Sequence, residues 1–270
     1  GCAGSKMSAP VKPAITEKSY ALQFKATPGA SASYRMKLQS KFVQEIMGKE
    51  NVVDAGWQAV LTQRVATPDA AGNVTITIHF DSLTVATGNP MLEPLLKPLE
   101  GVAGKSVLAV LAANGEIKKL LGLENLPAAA NQNNLMESTL RNMFPRFAGH
   151  ATKIGDHWSR HDTTNNKNEN VDLTIINHAQ YSLISADQVA GVTRLKLHNT
   201  GSFSLNGITK NQGMKVGLNG AGTTEADFTV TSNDGWLISA SATTESSGTA
   251  ELKTEQPMRI PWRSSNSVTI

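Results

Sequence analysis

The densest group of side chains capable of chemistry is Asp156-His157-Trp158-Ser159-Arg160-His161-Asp162. On a helix, His157 and His161 would lie one turn apart and share a metal ion. On a strand, four residues separate them by ~13 Å, too far for one ion. Gly155, Thr163, Thr164 and Asn165 around the cluster favour a strand leading into a loop, and so an exposed polar edge. Gly101-Val102-Ala103-Gly104-Lys105-Ser106 has the ending of a phosphate loop. That loop needs a glycine where Leu99 stands, and a helix where a strand pattern follows Ser106. Gly217-Leu218-Asn219-Gly220-Ala221-Gly222 lacks dinucleotide-loop spacing and reads as a strand end and turn. No Gly-x-Ser-x-Gly nucleophile motif occurs. His79, His178 and His198 alternate with apolar residues and belong on wet strand faces. The expectation is a protein that is not an enzyme, with no metal and no cofactor.

The lone cysteine excludes a disulfide framework and a multi-cysteine metal site. It stands in Gly1-Cys2-Ala3-Gly4-Ser5-Lys6, which resembles the mature start of a bacterial lipoprotein, where a signal peptide is cut before a cysteine that then carries acyl chains. Gly1 would be the last residue of that signal peptide or a cloning scar. Two or three acyl chains anchor stably, because each buried methylene adds ~0.8 kcal/mol and one chain alone is marginal. Ala3 rather than Asp follows the cysteine, which by this resemblance implies the outer membrane. The other reading of Cys2 is a free thiol on a disordered end. Met7 to Ser19 contains Pro10 and Pro13 and no apolar period, so residues 1–19 form a solvated tether and the folded body begins near Tyr20.

Composition narrows the class of that body. Charged residues make up 17% and hydrophobic residues 40% of the 270, which fits neither a disordered chain nor a bundle of spanning helices. No run reaches the ~18 apolar residues of a spanning helix. Twenty-five basic side chains against 22 acidic ones, spread along the chain, do not make a nucleic-acid footprint.

The dominant period is two. Tyr34, Met36, Leu38, Phe42 and Ile46 share one face, as do Trp57, Ala59, Leu61 and Val65. Val74, Ile76, Ile78 and Phe80 continue the pattern until the phase slips at Asp81-Ser82, as a bulge would make it. In the second half Val171 to Leu183, Leu195 to Leu205, and Met214 to Leu218 alternate in the same way. Asn114-Gly115 and Asn233-Asp234-Gly235 mark hairpins, and Met258 to Ile270 closes the chain as a strand. Two segments depart from the rule. Asn89 to Gly101 has leucines at helical spacing interrupted by Pro94 and Pro98, and Asn134 to Phe147 has a helical period that Asn133 or Asn134 would cap and Pro145 would end.

The fold class expected is mainly β with a few helices: a long, strongly curved antiparallel sheet or half-barrel with short helical plugs. Residues 20–270 form one domain, whose similar halves join near Gly149. Met91, Leu95, Met136, Leu140, Met143 and Phe144 lie on the apolar faces of the plugs. They read either as ordinary core or as the adaptable lining of a site for an acyl chain or other apolar ligand.

A lipid-anchored start, a proline-containing tether, long one-faced strands and internal helices together resemble the bacterial lipoprotein-carrier half-barrels of the LolA/LolB and LppX type. The resemblance covers Tyr20 to Ile270 as architecture, and no motif carries a binding residue across. It implies a curved sheet around helices with a hydrophobic cavity, in a protein of the cell envelope. The leading expectation is therefore a non-enzymatic envelope lipoprotein that binds a lipid or other apolar ligand in the concave face of its sheet. The alternative is a scaffold with a packed core that recruits an envelope protein partner. Replacing Cys2 by Ser should move the protein from membrane to soluble fractions without lowering its melting temperature; unchanged membrane partition would count against acylation.

Overall fold

The computed structural model describes residues 18–25, 27–131, 135–167, 170–211, 214–253 and 257–270. The period-two segments all become strands. The first half contains β1 (Tyr20–Ala21), β2 (Ser31–Ile46), β3 (Lys49–Val65), β4 (Val74–Thr87), β5 (Ser106–Leu111) and β6 (Ile117–Leu121). The second contains β7 (Ala151–Thr152), β8 (His157–Lys167), β9 (Val171–Val189), β10 (Val192–Asn211), β11 (Met214–Thr231), β12 (Leu237–Leu252) and β13 (Met258–Thr269). Helix α1 (Glu93–Leu96) runs into a 3-10 turn (Lys97–Val102), and α2 (Ala128–Asn131) and α3 (Leu135–Arg141) follow β6. Pro94 and Pro98 sit in the first turns of their short helices, where a missing N–H costs nothing, and α3 stops before Pro145. The Asn133 and Asn134 caps expected for α3 lie outside the described residues.

Eleven strands form one antiparallel sheet in the order β6-β5-β4-β3-β2-β13-β12-β11-β10-β9-β8. It consists of two meanders joined where β13 pairs with β2. The bulge expected at Asp81 is present: Val60 faces Ser82 and Leu61 faces Phe80, so Asp81 is the extra residue. β10 has 20 residues and extends ~65 Å at about 3.3 Å each. Two readings need correction. Residues 217–222 are not a strand end but the middle of β11, and the segment after His161 remains a strand to Lys167 because β9 pairs with it throughout.

The sheet curls without closing into a barrel. The Phe147 N–H donates to the Asn114 carbonyl in the β5–β6 turn at 2.8 Å, while Arg160 of β8 donates to the carbonyls of Phe147 and Ala148. Trp158 Nε1 of β8 donates to the Arg146 carbonyl at 2.8 Å. One short strap thus touches both ends of the sheet, which only a curved sheet permits. A second strap crosses the base. β1 pairs with β7, the Phe24 N–H donates to the Ala113 carbonyl at 2.7 Å, and the Lys25 N–H donates to the Asp234 carbonyl at 2.8 Å. Leu22 and Phe24 are buried there, a contribution that an isolated apolar pair without a period does not advertise.

The core occupies this lower end of the trough. Inward-facing Met36, Leu61, Ile76, Ile78, Leu183, Leu195 and Val230 enclose Val102 from the β4–β5 connection and Met136, Leu140, Met143 and Phe147 from the segment between the meanders. Tyr34 on β2 donates its hydroxyl to the Leu237 carbonyl on β12 at 2.7 Å, and burial pushes its phenol pKa up. The buried Gln63 amide donates to Met143 Sδ at 3.0 Å.

At the β11–β12 turn, Gly235 has φ +69°. A Cβ there would come within 2.5 Å of the Gln23 carbonyl oxygen in the basal strap. Trp236 is partly buried and stacks on Phe24 with centroids 6.0 Å apart. Gly235→Val should therefore destabilise by more than ~1 kcal/mol, from backbone strain and collision together. Trp236→Ala should cost less than the ~3 kcal/mol of a fully buried aromatic. Thermal melts of the two variants check the order; a Gly235→Val melting point equal to wild type would be incompatible with this turn.

Candidate functional site

Strand alternation continues above the core, where the inward side chains cover one another only in part. The inward side chains of the upper half pair across the sheet in rows. One row runs Ile175, Leu205, Gly220, Gly248, Trp262, and the next above it runs Leu173, Gly207, Leu218, Ala250, Ile260. Leu173, Ile175, Leu205, Leu218, Ile260 and Trp262 are all half-exposed and stand outside the core cluster. Below them the inner face turns polar. Thr224, Thr244, Asn266 and Ser40 occupy adjacent strands in register, with the two threonine hydroxyls 3.1 Å apart. This belt separates the upper apolar surface from the core.

Glycine and aromatic side chains shape the upper surface. A Cβ added to Gly220 or Gly248 would fall 2.6 or 2.7 Å from the Trp262 ring, so the indole lies directly over both. Phe203 covers Gly222 in the same way, at 2.6 Å. Phe42 stacks near Trp262, with centroids 6.1 Å apart and planes 28° apart. Aromatic rings laid over glycines restore contact that a bare backbone would lose, and keep the face shallow and broad. Trp262 Nε1 is buried without an acceptor among the described residues. A surface of this kind offers dispersion and apolar burial to a flexible hydrocarbon.

The residues expected to line a ligand site are not on this surface. Met136 (1% exposed), Leu140 (0%), Met143 (1%) and Phe144 (4%) are sealed in the lower core, where they pack as plugs. Met91 is 83% exposed beside α1, away from the other four. The Leu95 side chain and all of Cys2 lie outside the described residues. Two surface hollows stand out elsewhere. One, of about 510 Å³, runs along the sheet beside Lys37, Lys41, Asp54, Gly56, Gln58 and Ser265. The other, of about 330 Å³, adjoins His161 and His178. Sequence reasoning missed Trp262, Ile260 and the glycines opposite them. The available signal was Gly220, Gly222 and Gly248 at period-two positions within alternating segments.

No protein-family model matches the chain, and no curated protein does. Among solved structures, similarity is found to OmpTdeltaL8, a loop-deletion mutant of OmpT, an outer membrane protein of Vibrio cholerae. It has a TM-score of 0.23 and 7% identity, covering 88% of this chain and 99% of that one. The in-vitro folded trimer form of OmpT gives 0.17 and 6%, covering 89% and 100%. Scores this low carry no argument about fold or function.

The aromatic cover can be measured by a double-mutant cycle. Gly220→Ala should be destabilising in the wild-type background, because its new methyl meets the Trp262 ring. In a Trp262→Ala background the penalty should fall by ~0.5 kcal/mol or more. Additive changes in denaturant melts would mean that the indole does not lie over the glycine.

Proposed function

We propose that this protein is a non-enzymatic, lipid-anchored component of the bacterial cell envelope, held at the outer membrane through Cys2, and that it binds a fatty-acyl chain or similar apolar ligand on the upper inner face of its sheet. The observation that carries the reading is the half-exposed surface around Leu205, Leu218, Ile260 and Trp262, cut off from the core by the threonine–asparagine belt. It relocates the ligand from the helical plugs to the sheet above them. A curved wall of side chains without polar partners suits a flexible chain better than a polar solute. The neighbouring Trp262 supplies a fluorescent reporter.

A second reading is favoured by the packed plugs: a scaffold whose threonine- and serine-rich outer positions, such as Thr200, Ser202 and Ser204, recruit an envelope protein. Titration with a dansyl-labelled fatty acid separates the two. Ligand binding predicts saturable uptake with energy transfer from tryptophan. Leu218→Asp should weaken it by at least about tenfold, or ~1.4 kcal/mol, while the outer-face Ser204→Asp should leave it unchanged. No uptake by the wild-type protein, or equal uptake by Leu218→Asp, would overturn the ligand reading in favour of the scaffold.

A further inference from the structure

The antiparallel register of β8 and β9 assembles a pair of imidazoles that lie far apart in sequence. His161 stands directly opposite His178, just as Trp158 stands opposite Tyr181 three residues earlier. Trp158 and Tyr181 stack in the core, with centroids 5.8 Å apart. By alternation, His161 and His178 therefore share the outer face. Their ring centroids are 4.6 Å apart at an interplanar angle of 78°, and the two Nδ1 atoms approach to 2.5 Å. One ring thus donates its N–H to the other. Both side chains are exposed and border the smaller hollow, whose other walls include Ser159, Gln180, Thr200 and Ser202. No lysine, arginine or carboxylate lines that hollow.

We propose that His161 and His178 form a binding site for a divalent transition-metal ion of the imidazole-preferring class, with Cu²⁺ held more tightly than Ni²⁺ or Zn²⁺. Metal–imidazole bonds of ~2.0–2.1 Å at angles between ~90° and ~110° place the two nitrogens about 2.8–3.4 Å apart. The rings need to part by less than about 1 Å, which two exposed side chains beside a hollow can do by small side-chain rotations. The ring that carries its proton on Nδ1 passes to the Nε2–H tautomer through water. Both Nδ1 lone pairs then face the ion, and no net proton is released. Among the described residues no third His, Cys, Asp or Glu joins the pair. Water, or a donor atom on another molecule, fills the remaining positions, so the site is open rather than sealed. It lies on the face opposite the apolar surface and stands or falls independently of lipid binding. It also differs from the His157–His161 pair considered on sequence spacing, because here the ligands come from facing strands.

Calorimetric titration with CuCl₂, NiCl₂ and ZnCl₂ tests the site in the full chain carrying Cys2→Ser, which removes the competing thiol. The expected result is one ion per chain and a higher melting temperature at saturation with metal. His161→Ala and His178→Ala should each weaken binding by at least about tenfold. His178→Gln, which keeps a polar side chain, should behave as His178→Ala does, while His157→Ala and His198→Ala should bind as the parent does. Melts in chelator should show all five variants folded, because none of the substituted histidines lies in the core cluster. Undiminished binding by a His161→Ala, His178→Ala double variant, equal weakening by His157→Ala, or no binding to the parent chain at millimolar metal would each overturn the proposal.

Discussion

The pairing of the last strand with the first long one makes this molecule a single trough. β13 lies against β2 from Trp262–Gln44 down to Thr269–Lys37, and that register aligns Val268, Leu38 and Trp57 in one row across three strands. Without it, each meander would expose the hydrogen-bonding edge of a long strand, a template for aggregation. Neither meander alone would reach around the central helices. With it, eleven strands share one inner face, and the remaining edges, β6 and β8, are drawn toward each other by the strap through Phe147. The Tyr34–Leu237 hydrogen bond spans the same junction inside the core, between strands that flank β13. Because stability there depends on the first and last parts of the body meeting, folding of the junction is a long-range event with a high loop-closure cost.

Alternation made the strands, their faces and the bulge at Asp81 legible, because each is decided by neighbours within a few residues. The hairpins at Gly115 and Gly235 were legible for the same reason, and both glycines have positive φ. What could not be read locally is which strand lies beside which. His161 and His178 come together only through the β8–β9 register, and the belt of Thr224, Thr244, Asn266 and Ser40 exists only once four strands are aligned. Gly217 to Gly222 looked like a turn because glycine usually weakens a strand. Its meaning as strand appears only with Trp262 and Phe203 lying over it. Leu22 and Phe24 escaped notice because two residues make no period, although they seal the base.

The division of the inner face into two apolar zones has an energetic reason. The β4–β5 connection with Leu99 and Val102, and the segment between the meanders from Leu126 to Phe147, fill the lower zone, and full burial of each large side chain there is worth roughly 1.5–3 kcal/mol. That filling stabilises the fold. Among the described residues the upper zone has no such filling, so its leucines, isoleucines and aromatics keep part of that driving force unspent. An extended apolar surface is costly wherever it faces water, unless something covers it for part of the time. The belt of hydroxyl and amide groups limits how far a hydrocarbon would descend, because taking those groups out of water without hydrogen-bond partners is unfavourable. A ligand on the upper face would therefore add to the fold without competing with the plugs. The rings of Trp262 and Phe203, already laid flat on glycine, would meet it with little further loss of side-chain freedom.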